Sequence, residues 1–161
     1  MEIRFAKKCD IPGILHLLTQ VGQVHAKGRP DIFRGDALKY DKADLEALLQ
    51  EENRPVLVAV EEENVLGYAF CIRKGVKDHP VLADQEELYV DDLCVEENLR
   101  GKGVGTKLYE AVVALAKELG VCRVTLNVWA FNEKALAFYE KCGMKPQRIY
   151  METNLEKDHA E

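Results

Sequence analysis

The sequence contains no long apolar run and no opening segment of the secretory type. No stretch of the 161 residues approaches the roughly 20 apolar residues that a membrane helix requires. The opening residues, MEIRFAKKCDIPGILHLL, include Lys7, Lys8, Asp10 and Pro12, which are not compatible with the apolar region of a signal peptide. We therefore expect neither export nor a membrane partner.

Paired cysteines and clustered histidines are also missing. The chain has five cysteines, an odd number without a C-x-x-C pair: Cys9, Cys71, Cys94, Cys122 and Cys142. This usage is typical of reduced thiols in a cytoplasmic protein and argues against disulfides and a zinc site. None of the four histidines has metal-ligand spacing, so no metal is expected: His16, His25, His79 and His159.

Positive charge is scarce over the whole chain, which has 22 Lys and Arg against 28 Asp and Glu and a net charge of −6. Nucleic acids favour a basic surface, so we expect no nucleic-acid partner. The proportions of 47% hydrophobic and 31% charged residues are those of an ordinary globular chain. With no repeat or linker, the length predicts one domain over 1–161.

Hydrophobic periodicity predicts a strand, two helices, three strands, a helix, a strand, a helix and one or two final strands. The predicted strands cover residues 3–6, 56–60, 66–73, 87–95 and 122–129, with pieces near 144 and at 149–153. The predicted helices begin at Asp10, Asp41, Gly103 and Asn132. The unit over 87–129 is a βαβ crossover, so its two strands should be parallel. The class is α/β, or α+β by a stricter definition.

A glycine-rich loop precedes the third helix, in the stretch NLRGKGVGTKLYEAV over 98–112. Free N–H groups at a helix N-terminus, with glycines that let a ligand touch the backbone, favour a phosphate or pyrophosphate. A tight strand-to-helix turn is the alternative interpretation. The spacing excludes a P-loop, because Thr106 precedes Lys107, and a G-x-G-x-x-G fingerprint, because its last position is Thr106.

Two stretches of the chain carry a family resemblance. The run Arg100-Gly101-Lys102-Gly103-Val104-Gly105 after the strand end Leu93-Cys94-Val95 resembles the [QR]-x-x-G-x-[GA] motif of the GNAT superfamily of N-acetyltransferases. About 30 residues later, LNVWAFNEKALAFYEKCGM resembles the strand and helix that follow in that family. The resemblance spans 88 to about 151.

The resemblance implies a single-domain GNAT-like fold with acetyl-CoA as cosubstrate. It implies a mixed central sheet of about 6–7 strands, flanked by about four helices, with a splayed parallel strand pair. The acceptor-side half would cover about 1–85 and the acetyl-CoA half about 86–155.

The resemblance also implies roles for particular residues. The loop from Arg100 to Thr106 would hold the pyrophosphate, and backbone groups of Leu93, Cys94 and Val95 would bind pantetheine and supply the oxyanion donor. Asn132 would touch the pantetheine arm in addition to capping its helix. Tyr139 would give a proton to the departing thiolate, and packing beside Phe138 is the alternative.

The general base is the least defined part of the site. Relatives often place glutamate on one of two strands, where this chain has Tyr89 and Asn127. Asp91 and Asp92 lie in an apolar strand, and regular alternation favours Asp91 for the cleft, although a bulge would reverse that choice. An equally good interpretation is that both acids are solvated or hold a cationic substrate.

The acceptor pocket is predicted in the loop over 28–36, where Asp31 and Phe33 suit a cationic amine, and near Tyr150. An ordinary surface loop would have the same sequence. We expect direct attack on acetyl-CoA in a ternary complex by a primary amine of a small molecule or peptide, with Cys94 as apolar filler. The alternative is a catalytically inactive CoA-binding sensor or interaction module. A homodimer through the terminal strands is compatible with the sequence, which does not decide it.

Overall fold

The computed structural model describes residues 1–35 and 38–156. Asp36, the last residue of the predicted acceptor loop, and His159 lie outside the described residues. The strands are β1 (Glu2–Phe5), β2 (Val56–Glu61), β3 (Asn64–Val76), β4 (Gln85–Val95) and β5 (Arg123–Leu126). The α-helices are α1 (Ile11–Gly28), α2 (Lys42–Leu48), α3 (Val104–Leu119) and α4 (Glu133–Lys141). The predicted element order is therefore confirmed as far as α4.

One open mixed sheet, in the order β1-β2-β3-β4-β5, forms the centre of a single mixed α/β domain. The first four strands are antiparallel neighbours, while β4 and β5 are parallel. Because α3 connects these two parallel strands, the predicted βαβ crossover is present. None of the helices in the described part combines the length and the hydropathy of a bilayer span.

Each face of the sheet is covered by its own helices. Side chains of α1 and α2 pack with Val58, Tyr68 and Phe70 on one face. Side chains of α3 pack with Ala59 and Leu88 on the other. β2 is buried on both faces, which explains its continuous apolar sequence VLVAV. The two faces also differ in their polar residues, because the acidic residues of the candidate site lie on the α1–α2 face.

The two predicted strands after α4 are wrong. The described sheet has five strands rather than 6–7, and residues 144–156 contain no strand. A strand requires a neighbouring backbone, and this apolar segment does not lie on the edge of β5 within the described chain. The fifth strand is also shorter than predicted, because it ends at Leu126 rather than Trp129.

A buried ion pair joins β1 to the start of α1. Asp10 is only 4% exposed and accepts hydrogen bonds from Arg4 Nη1 at 2.7 Å and Nη2 at 3.0 Å, and from the Lys7 N–H at 2.7 Å. Burial alone would raise the pKa of Asp10, but the hydrogen bonds from Arg4 and Lys7 outweigh it and hold the pKa below its ordinary value. The pair therefore stabilises the fold only when Asp10 is ionised.

We expect the Asp10→Asn variant to lower the free energy of unfolding by about 2 kcal/mol at pH 7, because a charge-assisted bidentate pair is lost. Since the folded pKa is depressed, the wild-type advantage is complete above the ordinary carboxyl pKa of about 4 and disappears as the pH falls below it. Urea unfolding at pH 7 and at pH 2 measures both values. The exposed control Glu61→Gln should change little, and an Asp10→Asn loss that persists at pH 2 would contradict the account.

Candidate active site

The glycine loop forms an open cradle at the start of α3. Gly101 and Gly103 have φ values of 79° and 87°, in the left-handed region that favours glycine. Gly103 is the N-cap of α3 and no side chain caps the helix, so the first-turn amides have no intrahelical acceptor. A Cβ atom added at either glycine would meet no heavy atom of the described chain within 4 Å.

The third glycine of the motif has a packing role. A Cβ atom on Gly105 would lie 3.2 Å from Cζ of Phe138 and 3.5 Å from Cγ2 of Val95. Gly105 therefore lets α4 and the end of β4 approach the first turn of α3. This contact places the cradle directly beside the helix that carries Tyr139.

Positive side chains surround the cradle. Lys102 and Lys107 are exposed, and Arg100 Nε donates to the Val95 carbonyl at 3.4 Å. Free first-turn amides, the positive end of the α3 dipole and these cations together favour an anion. The residues present therefore fit the pyrophosphate of acetyl-CoA.

The parallel strands β4 and β5 separate after four paired residues. The last pair is Val90 with Leu126, whereas β4 continues to Val95. The edge of β4 over 93–95, which comprises Leu93, Cys94 and Val95, therefore lies beyond the pairing with β5. The splayed strand pair implied by the resemblance is present, with backbone groups available to a ligand.

A bulge in β4 interrupts its alternation. Val90 pairs with Cys71 and Asp92 pairs with Phe70, so Asp91 is the extra residue. The simple alternation that favoured Asp91 for the cleft does not hold. The structure contains a bulge at this position, which is the condition under which the sequence favours Asp92 instead of Asp91.

The bulge turns two adjacent acids toward the same face of the sheet. Before it, Leu88 and Val90 pack on the α3 side, and after it Leu93 and Val95 do. Asp91 and Asp92 therefore both lie on the opposite side, under α1 and α2. Two consecutive carboxylates could not share a face in a regular strand.

The two acids have different partners. Asp91 forms an ion pair with Lys39, at 2.7 Å, and accepts from Tyr40 Oη at 3.4 Å. Asp92 accepts from Tyr68 Oη at 2.8 Å. Burial raises the pKa of Asp92, against the lowering effects of Tyr68, Lys39 and His25. A carboxylate with a raised pKa is a better proton acceptor near neutral pH.

His25 is the nearby imidazole. Burial lowers the pKa of His25, although the charge of Asp92 opposes this effect, so the ring is neutral at pH 7. The ring stacks on Phe33, with centroids 4.8 Å apart. The Asp92 carboxylate therefore lies close enough to His25 to influence the protonation of its ring.

Tyr139 is half-buried on α4 and lies near the end of β4. Burial raises its pKa, and the charge of Asp92 raises it further. Its phenol is therefore protonated at neutral pH and can only donate a proton. Phe138, the adjacent residue, makes the packing contact with Gly105. Tyr139 also packs edge-on against Phe138, with ring centroids 5.1 Å apart, so the packing contact given as the alternative is present.

Asn132 and Cys94 have clear local environments. Asn132 is the N-cap of α4, and its Oδ1 accepts from the Ala135 N–H at 3.2 Å. Burial raises the pKa of Cys94 to about 12, and its thiol contacts the Leu17 carbonyl at 3.7 Å. A protonated, buried thiol fits apolar filler rather than a nucleophile.

In the described ranges no group of three or more His, Cys, Asp or Glu side chains is arranged to hold a metal ion.

The loop after α1 meets the end of β5 through aromatic contacts. Phe33 packs edge-on against Trp129, with centroids 5.0 Å apart, in addition to its stack on His25. Asp31 is exposed and holds Arg29 at 2.7 Å. Phe33 therefore borders the acidic pair through His25, whereas Asp31 is neutralised by Arg29. Tyr150 is fully exposed and contributes to no pocket wall in the described chain.

Sequence reasoning missed His25 and Tyr68. His25 continues the apolar stripe of Ile14, Leu18 and Val21 at helical spacing, and a polar residue on such a stripe was the available signal. Tyr68 lies in a wholly buried part of β3, and no local pattern predicts that its hydroxyl reaches Asp92.

Comparisons with known proteins agree with this geometry. The model of the acetyltransferase (GNAT) family matches residues 23–144. A solved structure of a mutant of the BH1408 protein from Bacillus halodurans is 35% identical, with a TM-score of 0.93 over 97% of this chain and 100% of that chain. An aminoglycoside N-acetyltransferase, AAC(6')-Iy, solved in complex with CoA, shares the fold at 15% identity, with a TM-score of 0.72 over 97% of this chain and 100% of that one.

Among curated relatives, the D-amino-acid N-acetyltransferase HPA3 of Saccharomyces cerevisiae is 37% identical over 70 residues, 44% of this chain and 44% of that protein. The chain spans about half of the length of the curated relatives it matches. The family match covers well over half of this chain, so the chain belongs to the acetyltransferase (GNAT) family.

Proposed function

We propose that this member of the GNAT family is an acetyl-CoA-dependent N-acetyltransferase, which moves an acetyl group to a primary amine by direct attack in a ternary complex. The observation that best supports this proposal is the position of α4 between the glycine cradle and the acidic pair on β4. Gly105 of the cradle lies against both Phe138 of α4 and Val95 at the end of β4, and the charge of Asp92 on β4 raises the pKa of the neighbouring Tyr139. The glycine cradle, the splayed strands β4 and β5 and the acidic pair are therefore next to one another.

The donor side uses mainly backbone groups. The amides at the start of α3, with Arg100 and Lys102 beside them, hold the pyrophosphate of acetyl-CoA. The free edge of β4 over 93–95 binds the pantetheine arm and supplies the N–H that stabilises the developing oxyanion. The Asn132 side chain assists from the start of α4. Bound acetyl-CoA supplies a thioester as the acetyl donor.

The chain supplies the proton transfers. Asp92 accepts a proton from the ammonium form of the acceptor, and the lone pair of the neutral amine then forms the N–C bond to the acetyl carbon. As the C–S bond breaks, the nitrogen loses its second proton to solvent. Tyr139 donates a proton to the departing sulfur. Proton exchange with solvent returns both side chains to their starting states. A lysine-like amine needs such a base, because only about one part in a few thousand is neutral at pH 7.

We assign the base to Asp92 rather than Asp91. Asp91 is already paired with Lys39 at 2.7 Å, so its carboxylate is occupied by a cation of the chain itself. Asp92 has no ion pair at hydrogen-bonding distance in the described chain and has the raised pKa. Asp91 then positions Lys39 and adds negative charge to the acceptor side.

The acceptor is a primary amine of a small molecule or a peptide. The negative charge of the aspartate pair favours a cationic acceptor, and the rings of Phe33 and Trp129 offer an apolar wall beside it. Relatives carry names as different as D-amino-acid and aminoglycoside N-acetyltransferases, so an amine screen should include both classes. Release of free CoA that depends on an added amine is the expected result. Tight acetyl-CoA binding without turnover on any amine would instead favour the inactive sensor.

We expect Gly103→Asp to weaken acetyl-CoA binding at least about tenfold, because its carboxylate both repels the pyrophosphate and occupies the first-turn amides. Asp tolerates positive φ better than most residues, so the helix should remain folded. The matched control is Gly120→Asp, which adds the same charge at the other end of α3, where φ is also positive at 72°. Calorimetric titration measures both, and equal weakening in the two variants would contradict the proposed cradle.

We expect Asp92→Asn to lower kcat about 10²- to 10⁴-fold, the usual contribution of a general base. Because burial raises the Asp92 pKa, the wild-type rate should increase with pH through a limb above the ordinary Asp range, and this limb should be absent from the variant. Asp91→Asn is the control and should retain the limb. A pH profile that is unchanged in Asp92→Asn would exclude Asp92 as the base.

A further inference from the structure

The ammonium group of Lys39 lies at the acidic pair, the place that the proposed function gives to the acceptor amine. Its Nζ is 2.7 Å from Oδ2 of Asp91, and its charge also acts on the adjacent Asp92. The Lys39 side chain is 43% exposed and that of Asp91 19%, so the ion pair is partly shielded from water. A primary amine of the chain itself therefore occupies the proposed acceptor side.

The residue after Lys39 anchors this part of the chain to the sheet. Arg54 Nη2 donates to Tyr40 Oη at 2.7 Å, and the Tyr40 ring packs against Phe70 of β3, with centroids 5.6 Å apart. The Lys39 ammonium also lies 5.6 Å from the centre of the Tyr40 ring. Because Tyr40 is fixed on the sheet, the backbone of Lys39 is held close to β4, while its side chain can still rotate.

The Lys39 ammonium is within reach of the proposed donor site. Asp91 is two residues from Leu93, where the free edge of β4 that would bind pantetheine begins. Two residues of a strand span about 7 Å. The lysine ammonium stands on a flexible four-carbon stem, which can cover this distance by rotation about its side-chain bonds. A single side-chain rearrangement would therefore bring Lys39 to the thioester of acetyl-CoA.

We propose that Lys39 is a self-acetylation site, to which the chain transfers the acetyl group of bound acetyl-CoA when no external amine is present. This inference rests on the proposed acetyl transfer. The Lys39 ammonium loses one proton to Asp92, and its Nζ forms the N–C bond to the acetyl carbon as the C–S bond breaks. The nitrogen loses its second proton to solvent, and Tyr139 donates a proton to the departing sulfur. Each chain reacts once, because the product is an amide.

Lys42 provides an internal reference for uncatalysed acetylation. Burial lowers the pKa of Lys39, but its hydrogen bond to Asp91 and the charges of Asp91 and Asp92 outweigh this effect, so the pKa is raised. Uncatalysed attack on acetyl-CoA in solution needs a neutral and accessible amine, which Lys39 is not. Lys42, three residues later, is 73% exposed, and its Nζ lies 3.9 Å from Glu46. Reaction without catalysis should therefore favour Lys42, and only the active site should favour Lys39.

Self-acetylation would change the charge of the acceptor side. Acetylation replaces the Lys39 cation with a neutral amide, so the ion pair with Asp91 is lost. The modified chain then presents both carboxylates to an external amine.

The test is peptide mass spectrometry of wild-type protein incubated with acetyl-CoA and no amine. Lys39 should be acetylated at least about tenfold faster than Lys42, with a half-time that does not depend on protein concentration, because the reaction is intramolecular. Tyr139→Phe should slow the reaction at Lys39 about 10²- to 10⁴-fold. The matched control Tyr150→Phe removes a fully exposed hydroxyl and should retain the wild-type rate. An acetyl group already present at Lys39 in purified wild type and absent from Tyr139→Phe is the same positive result.

Equal or faster acetylation of Lys42, or an unchanged rate at Lys39 in Tyr139→Phe, would overturn the proposal. An accepted amine should also slow acetylation of Lys39 as its concentration rises, because both compete for one acceptor position. Amine-dependent release of CoA while Lys39 stays unmodified would overturn the self-acetylation alone and leave the proposed function intact. Absence of both reactions would overturn the proposed function as well.

Discussion

The bulge at Asp91 is the constraint on which the site depends. It reverses the alternation of β4, so Asp91 and Asp92 share the α1–α2 face while Leu93 and Val95 return to the α3 face. Just before the bulge, pairing with β5 ends at Val90. One irregularity therefore accompanies both the acidic pair and the free strand edge, so the proposed proton acceptor and the proposed pantetheine-binding edge lie at one place.

The two halves of the site have opposite electrostatic character. The donor side presents exposed cations and helix-end amides, which suit the phosphates of acetyl-CoA. The proposed acceptor side presents two carboxylates partly shielded from water, which suit a cationic amine and include the proposed base Asp92. The net charge of −6 does not reveal this division, because it sums the charges of the whole chain.

Local signals predicted most of the fold and the position of the glycine loop. Neighbouring residues are enough to predict the helix caps Asp41 and Asn132, the apolar periodicity and the spacing of the glycines. The structure has each of these features at the predicted position. The bulge, the Tyr68 contact to Asp92 and the approach of His25 depend on long-range packing, which no local pattern encodes. The predicted terminal strands are wrong for a related reason, because a segment becomes a strand only where it pairs with a neighbouring backbone, and residues 144–156 do not pair with β5.

The most direct test of the central claim is the effect of Tyr139→Phe on acetyl transfer to an accepted amine, with acetyl-CoA binding measured on the same protein. The account predicts unchanged acetyl-CoA affinity and a loss of about 10²- to 10⁴-fold in kcat, because only the proton donor is removed. Wild-type turnover rates in the variant would contradict the account, as would a loss explained entirely by weaker acetyl-CoA binding.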